Sequence, residues 1–209
     1  MKKLYLLIIQ IILIKVLSLF PDFVERFYSN GLYLYISKIN RLLFGWIPFS
    51  LGDFAYMVII LLVFRWLYNN RIGFFKNWKT NVLSIISFFS IVYFLFHFLW
   101  GINYYRIPLQ EKIGIKKEYT KQQLQNLTLK LIAQTNHLQL QITKQNYKKV
   151  VINYPDQKMY EKAPNGYKNL PKPLSHIQYE HESIKSSIFS LPLSYMGFGG
   201  YLNPFTNEA

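Results

Sequence analysis

The feature that most constrains this chain is an uncharged apolar stretch over residues 82–100. None of its 19 residues is Asp, Glu, Lys or Arg. At about 1.5 Å per residue, a helix of this length measures about 28 Å, close to the thickness of the hydrocarbon core of a bilayer. Buried helices in water-soluble domains are seldom both this long and free of charge. The stretch therefore predicts a membrane-spanning helix.

The polar residues of this stretch share one helical face. At 100° per residue, Ser87, Ser90, His97 and the following Gly101 fall in one narrow sector, and small or hydroxyl residues there suit close helix packing in lipid. An ionisable residue in a membrane is often functional. No acidic residue lies near His97 in the sequence, so we expect a neutral histidine bonded to a neighbour or to headgroup water. We assign His97 no functional role.

Two further spans are predicted, at residues 4–20 and 51–68. The first follows Lys2 and Lys3, a beginning shared by signal peptides and first membrane helices, and its long apolar run favours an uncleaved helix. The second has a helix start, since Ser50 can cap it and Asp53 can act as the reciprocal acceptor of a capping box.

Residues 21–49, between these two spans, are apolar but interrupted by charges, and they contain tyrosines and a tryptophan. Aromatic residues of this kind favour the membrane–water boundary. We therefore predict an interfacial segment, broken at Asn30–Gly31.

The formal net charge of +14 does not favour nucleic acid as a partner. Residues 1–100 carry 10 basic and 3 acidic residues, and residues 101–209 carry 14 and 7. In the first half the basic residues lie at predicted helix ends, which indicates attraction to anionic lipid headgroups. The loop after the second span holds Arg71, Lys76 and Lys79, so the positive-inside rule places that loop and the N-terminus in the cytoplasm.

The predicted fold class is a mainly α membrane protein, with a transmembrane region over residues 1–101 and a small α+β extracytoplasmic domain over 102–209. In that domain Thr120 and Gln123 form a capping box at the start of a helix that ends near Lys144. Its apolar stripe comprises Leu124, Leu127, Leu131, Leu138 and Ile142, which we expect to pack against the domain. The β part is predicted at 150–152, 184–193 and 195–201.

The sequence contains no cysteine, so metal ligands would have to come from histidine and carboxylate side chains. His181-Glu182 begins like the zinc motif His-Glu-x-x-His, but Lys185 occupies the position of the second ligand. His176 is five residues from His181, off its helical face, and no third ligand is in view. The four histidines of the chain are His97, His137, His176 and His181.

A nucleophile is also considered at Lys185, Ser186 and Ser187, which combine a lysine with two serines. Adjacent residues of a strand point to opposite faces, so ordinary strand residues are the better interpretation. We assign no catalytic, cofactor-binding or metal-binding residue and expect no cofactor in this chain.

Three aromatic and glycine-rich motifs occur in a fixed order along the chain. They are Gly-Trp-Ile-Pro-Phe-Ser-Leu-Gly-Asp at 45–53, Trp-Gly-Ile-Asn-Tyr-Tyr at 100–105, and the segment 194–209 with Asn-Pro-Phe-Thr-Asn-Glu-Ala. Together they make the chain, from about residue 21 onward, resemble a family of uncharacterised bacterial membrane proteins.

That resemblance implies more than the residues show by themselves. In the family the Asn-Pro-Phe-Thr-x-Glu-Ala segment precedes a His-Glu-x-x-His helix, so full-length members look like zinc metallopeptidases of the inner membrane that face away from the cytoplasm. The sequence stops before that helix, and we expect the extracytoplasmic domain to be truncated at its C-terminus. Zinc is expected only in a full-length member, and this chain alone is expected to be inactive.

The leading hypothesis is therefore the membrane anchor and extracytoplasmic scaffold of a membrane-bound zinc metallopeptidase, with a peptide or protein substrate in the full-length protein. The alternative is a non-enzymatic integral membrane protein of the cell envelope, an assembly or interaction subunit. A transporter ranks third, because three spans without paired charges make a poor pathway. The predicted partners are the bilayer and anionic lipid headgroups.

Overall fold

The computed structural model describes residues 2–115, 118–168 and 183–209, and within these ranges every regular element is helical. A π-helix (Val24–Leu32) separates α2 from α3, and a 3-10 helix (Gly101–Tyr105) follows α5. The α-helices are α1 (Lys2–Leu17), α2 (Pro21–Phe23), α3 (Tyr33–Phe44), α4 (Leu51–Asn70), α5 (Trp78–Leu99), α6 (Leu109–Lys112), α7 (Lys121–Thr143), α8 (Asp156–Lys162), α9 (Asn165–Lys168) and α10 (Ser190–Tyr195).

The chain divides into two compact units. Unit 1 comprises residues 1–106 and 160–209, and unit 2 comprises residues 107–159. The helices predicted to span the membrane and the glycine-rich segment near residue 200 therefore belong to one unit.

Two helices of unit 1, α4 and α5, are long and apolar enough to cross a membrane, with 20 and 22 residues. A third span exists if residues Leu4–Leu17 and Pro21–Phe44, which are bent by 96° at the break between them, count as one. Most of the exposed side chains of α4 and α5 are apolar, as membrane lipid requires. A mainly helical fold with two to three candidate membrane spans is therefore confirmed.

The polar face predicted on α5 is a packing face. Ser90 and His97 are buried, and the Ser90 hydroxyl donates to Gln10 Oε1 of α1 at 3.1 Å. The Tyr28 hydroxyl approaches the backbone carbonyls of His97 and Phe98 at 3.1 and 2.8 Å. This face thus holds α1 and the π-helix against α5, as small and hydroxyl residues do in membranes.

The predicted break at Asn30–Gly31 is wrong. The chain stays helical from Pro21 to Phe44. Asn30 and Gly31 lie within the π-helix, whose turns are wider than those of an α-helix, and they do not interrupt it. Asn30, which favours turns in isolation, donates from Nδ2 to Glu25 Oε1 at 3.1 Å and so finds a partner inside the helix.

The predicted strands at 150–152, 184–193 and 195–201 are wrong, since no strand forms in the described ranges. Lys185 N donates to Ala209 O at 2.7 Å and Ala209 N donates to Ser183 O at 2.9 Å, which is a single pair of backbone bonds. Beyond it the chain turns into α10, where Pro192 lies in the first turn and is tolerated there. Without further partners this pairing does not grow into a sheet.

Unit 2 is built around α7, and its predicted capping box is confirmed. Thr120 Oγ1 accepts from Gln123 N at 3.2 Å, and Gln123 Oε1 accepts from Thr120 N at 2.8 Å. The helix ends where Lys144 adopts a left-handed conformation with φ of 53°. The predicted packing of its apolar stripe is not seen within the described residues, where Leu124, Leu127, Leu131, Leu138 and Ile142 are all exposed.

Candidate functional site

The candidate site is a buried polar cluster at the first turn of α4. We call Ser50, Asp53, Lys185, Ser187, Tyr201, Asn203, Thr206 and Glu208 the α4 polar cluster. All belong to unit 1, although they come from two parts of the chain separated by more than 130 residues.

Ser50 begins the helix as the sequence predicts. Its hydroxyl accepts from Asp53 N at 3.1 Å, which satisfies one of the free amides of the first turn. Asp53 has no solvent-exposed surface. A carboxylate can be this deeply buried only when hydrogen-bond donors surround it.

In a capping box the Ser50 backbone N–H would donate to the Asp53 carboxylate. The donors to Asp53 come instead from residues 187–201, so these bonds replace the predicted one. Asp53 Oδ2 accepts from Ser187 Oγ at 2.7 Å and from Ile188 N at 2.9 Å. Asp53 Oδ1 accepts from the Tyr201 hydroxyl. Burial, together with this bond to a carboxylate, raises the Tyr201 pKa to about 12. The tyrosine therefore stays protonated, as a donor, at physiological pH.

Glu208 occupies the N-terminus of α4. Its carboxylate accepts from Gly52 N at 2.9 Å and from Leu51 N at 3.2 Å, two amides that the helix itself leaves without partners. Thr206 Oγ1 donates to it at 2.8 Å. The positive end of the helix dipole favours an anion at this position.

Lys185 pairs with Glu208 inside the protein. The Lys185 Nζ–Glu208 Oε1 distance is 2.5 Å, and the side chains are 4% and 2% exposed. Lys185 Nζ also donates to Phe44 O at 2.6 Å. Burial would raise the Glu208 pKa, but the bonds from Lys185, from the α4 amides and from Thr206 outweigh burial and lower this pKa below its ordinary value.

Asn203 fixes the loop that carries Glu208. Its Oδ1 accepts from Phe205 N at 3.0 Å, and its backbone N donates to Glu208 O at 2.7 Å. A β-carbon on Gly52 would lie 2.0 Å from Asn203 Nδ2, so only glycine fits there. The loop and the first turn of α4 are therefore in direct contact.

The same loop is tied to α3. The Tyr33 hydroxyl donates to Asn207 Oδ1 at 2.7 Å, and Asn40 Nδ2 donates to Phe205 O at 3.3 Å. Residues 203–209 are thus held by α3 and α4 together, and Asn203, Asn207 and Glu208 are all at most 4% exposed.

A cavity of about 410 Å³ adjoins the cluster. Its lining combines hydroxyl groups and two consecutive glycines with a few apolar side chains, and it includes Ser50, Ser187, Ser190, Ser194, Phe198, Gly199, Gly200 and Tyr201. Most of the lining surface is apolar, and the hydroxyl groups of Ser187 and Tyr201 already bond to Asp53. Its lysine, Lys185, is already paired with the Glu208 carboxylate.

The sequence-based candidates are dispersed in the described structure. His97 Nδ1 lies 3.0 Å from Tyr93 O, and His137 Nε2 lies 2.9 Å from Gln141 Nε2 on the exposed α7. His176, His181 and Glu182 lie outside the described residues. Within those residues no group of three or more His, Asp or Glu side chains is placed to hold a metal ion.

The serine–lysine hypothesis receives no support from the described contacts. Lys185 Nζ bonds to Glu208 and to the Phe44 carbonyl, while Ser187 Oγ bonds to Asp53. None of these three bonds joins the lysine to a serine, so Lys185 and Ser187 each have a structural partner instead.

Sequence reasoning missed the two carboxylates that organise the site, Asp53 and Glu208. The signal that could have found them is the set of three motifs, because two of them meet here. Gly52 and Asp53 of the motif at 45–53 contact Asn203 and Tyr201 of the segment 194–209. The third motif, at 100–105, is bonded to the π-helix through Asn103 Oδ1, which accepts from Ser29 Oγ at 2.8 Å.

Residues 28–209 match the family described as protein of unknown function (DUF3810). The chain belongs to this family. Nothing among curated proteins or solved structures matches the chain. The match spans all three motifs, which confirms the predicted membership in an uncharacterised family. The two carboxylates of the α4 polar cluster lie within the region that defines DUF3810.

Proposed function

We propose that this chain is the membrane anchor and extracytoplasmic scaffold of a membrane-bound zinc metallopeptidase. The observation that carries the proposal is the fixation of Glu208 at the N-terminus of α4, a candidate membrane span. The resemblance implies a His-Glu-x-x-His helix shortly after the Asn203–Glu208 loop in full-length members. A loop bonded to α3 and α4 would hold such a helix at a fixed place relative to the bilayer.

The proposed topology has three spans, with the N-terminus and the loop after α4 in the cytoplasm. Arg71, Lys76 and Lys79 of that loop support this orientation, because short basic loops are retained on the cytoplasmic side. The loop that carries Glu208 then faces away from the cytoplasm, in the inner membrane of a bacterium. Zinc and a peptide substrate would be bound by the full-length protein, and anionic lipid headgroups by the basic helix ends.

A second candidate is a non-enzymatic assembly or interaction subunit of the cell envelope. The observation that favours it is the exposed apolar stripe of α7, which is a surface of the kind that takes a partner helix. In this case the α4 polar cluster stabilises the protein and has no substrate to serve.

Zinc content separates the two candidates. The gene's complete product and the 209-residue chain are purified from membranes and dialysed, and metal content and peptide cleavage are measured. We expect about one zinc per molecule and chelator-sensitive cleavage only where the product carries His-Glu-x-x-His, since a catalytic site needs three protein ligands and an open water position. The 209-residue chain should hold well under one zinc.

Two results would contradict the proposal. One is a complete product without stoichiometric zinc, which would favour the interaction subunit. The other is stoichiometric zinc in the 209-residue chain that is lost on His181→Ala, with His137→Ala as the matched control. That result would make His181 and Glu182 a metal site of this chain.

A further inference from the structure

The α4 polar cluster holds together the two ends of an uncharged loop. Residues 186–207 contain no Asp, Glu, Lys, Arg or His, and the two residues that flank this stretch are Lys185 and Glu208. These two form the buried ion pair. The side chains of the two charged residues that flank this stretch are therefore both buried, and the 22 residues between them carry no charge.

The outer part of this loop exposes large apolar side chains. Tyr195 is 85% exposed and Met196 is 71% exposed. Others on the same short segment are also exposed, namely Ile188, Leu191 and Phe198. Isolated apolar residues are common on protein surfaces, but five large exposed ones within residues 188–198 indicate an interaction site.

The position of the loop identifies the partner. Ser187 Oγ and Ile188 N are bonded to Asp53, in the first turn of α4, so the loop leaves the protein at one end of a candidate span. The six residues of α10 span only about 9 Å, and the headgroup and interfacial region of one leaflet is about 5–8 Å deep, so the patch stays close to the boundary.

Other exposed aromatic residues lie at the same end of the two spans. Trp46 and Phe49 precede the start of α4, and Tyr104 follows the end of α5. The short connection of residues 71–77 makes α4 and α5 run in opposite directions, so that the start of one and the end of the other lie at the same bilayer surface. Tyrosine and tryptophan are enriched at this boundary in membrane proteins.

We infer that residues 188–198 insert their apolar side chains into the lipid interface beside the first turn of α4, as a monotopic segment next to the spanning helices. The bilayer is the partner that an uncharged aromatic loop tied to a span fits best. The ion pair at its base keeps the charges of Lys185 and Glu208 out of lipid. This inference rests on the membrane-anchor part of the proposed function, but it is independent of the zinc site. The label at Leu61 tests the membrane span separately from the labels at 195 and 196.

The absence of cysteine in the chain makes a clean test available. Single-cysteine variants Tyr195→Cys and Met196→Cys carry an environment-sensitive fluorophore, and the full chain is reconstituted at one copy per nanodisc in phosphatidylcholine. Lipids brominated in their acyl chains quench a fluorophore that touches them. The lipid reference is Leu61→Cys, in the middle of α4 and 67% exposed, and the water reference is Tyr147→Cys, fully exposed in unit 2.

We expect brominated lipid to quench the labels at 195 and 196 at least twofold, with blue-shifted emission, while the label at 147 is unaffected. Quenching by aqueous iodide should follow the reverse order. Labels at 195 and 196 that behave like the label at 147 would overturn the inference. Labels that are shielded from iodide but not quenched by brominated lipid would overturn it as well, because protein would then cover the patch.

Discussion

Two regions outside the candidate spans are ordered in opposite ways. In unit 2, α7 is a regular helix of 23 residues whose apolar side chains are exposed. In unit 1, residues 201–209 have almost no regular structure, yet Asn203 and Glu208 are 1% and 3% exposed. Regular secondary structure and burial are therefore separate properties in this chain, and the irregular segment is the better buried one.

The difference lies in the range of the interactions. The capping box of α7 joins residues three apart, and the side chain of Gln139 reaches nine residues along the chain to Lys148 O. Glu208 instead meets Gly52 across 156 residues, and Tyr201 meets Asp53 across 148. Local bonds fail one at a time, whereas a buried network of charges fails as a unit when one member is removed.

The largest effect is expected for Glu208→Ala. It leaves Lys185 buried without its carboxylate, and breaking a buried ion pair by removing one partner costs about 3–5 kcal/mol. Hydrogen exchange, measured by mass spectrometry, should be at least about a hundredfold faster over residues 201–209. The free energy of opening of this segment in the natural chain sets the upper limit of the increase. Peptides from α7 should exchange as before.

The matched control is Glu161→Ala, which removes an exposed acid in α8. It should leave residues 201–209 protected. Unchanged protection in Glu208→Ala would mean that the ion pair does not hold the segment, and the contrast between the two regions would then need another explanation.

The sequence predicted the locally determined features well. The two strongest candidate spans, the Ser50 cap and the Thr120–Gln123 capping box follow from patterns within a few residues. The structure has long apolar helices at both predicted positions and confirms the two caps. The β-like run near residue 184 shows the limit, because strand formation depends on partners, and among the described residues Ala209 alone pairs with this segment through backbone bonds.

The candidate site was out of reach for a different reason. Asp53 looks like an ordinary helix-start residue, and neither the sequence around Glu208 nor its spacing from Lys185 indicates an ion pair. Their roles depend on donors and amides more than 130 residues away. Pattern reasoning on one sequence identifies caps and stripes, but it does not identify which distant loop supplies the donors to a buried carboxylate.

Gly52→Ala should give the next largest effect. The new β-carbon would lie 2.0 Å from Asn203 Nδ2 and 2.5 Å from Asn203 Cγ, and this asparagine is too buried to move away freely. Overpacking at such a site costs about 1–3 kcal/mol. Protection of 201–209 should fall less than in Glu208→Ala, although alanine is the better helix former.

Gly200→Ala is the control from the same region, since a β-carbon on Gly200 would have no neighbouring atom within 4 Å. It should leave the exchange rates of 201–209 close to those of the natural chain. Equal effects of the two substitutions would show that the contact between Gly52 and Asn203 is unimportant, and that the loop is held by its other bonds.

The smallest effect is expected in the other region. Thr120→Ala removes one half of the capping box of α7, and loss of such a cap costs about 1 kcal/mol. Thr128→Ala is the matched control, because Thr128 lies inside the same helix and bonds only to Leu124 O, at 2.8 Å. Alanine there should keep or increase helicity. Hydrogen exchange should therefore accelerate by about fivefold in the first turn of α7 for Thr120→Ala alone, since 1 kcal/mol corresponds to that factor.

The exchange of 201–209 should not change in either variant. Loss of protection there would contradict the separation of the two regions, because a local cap would then be stabilising a site that depends on long-range bonds.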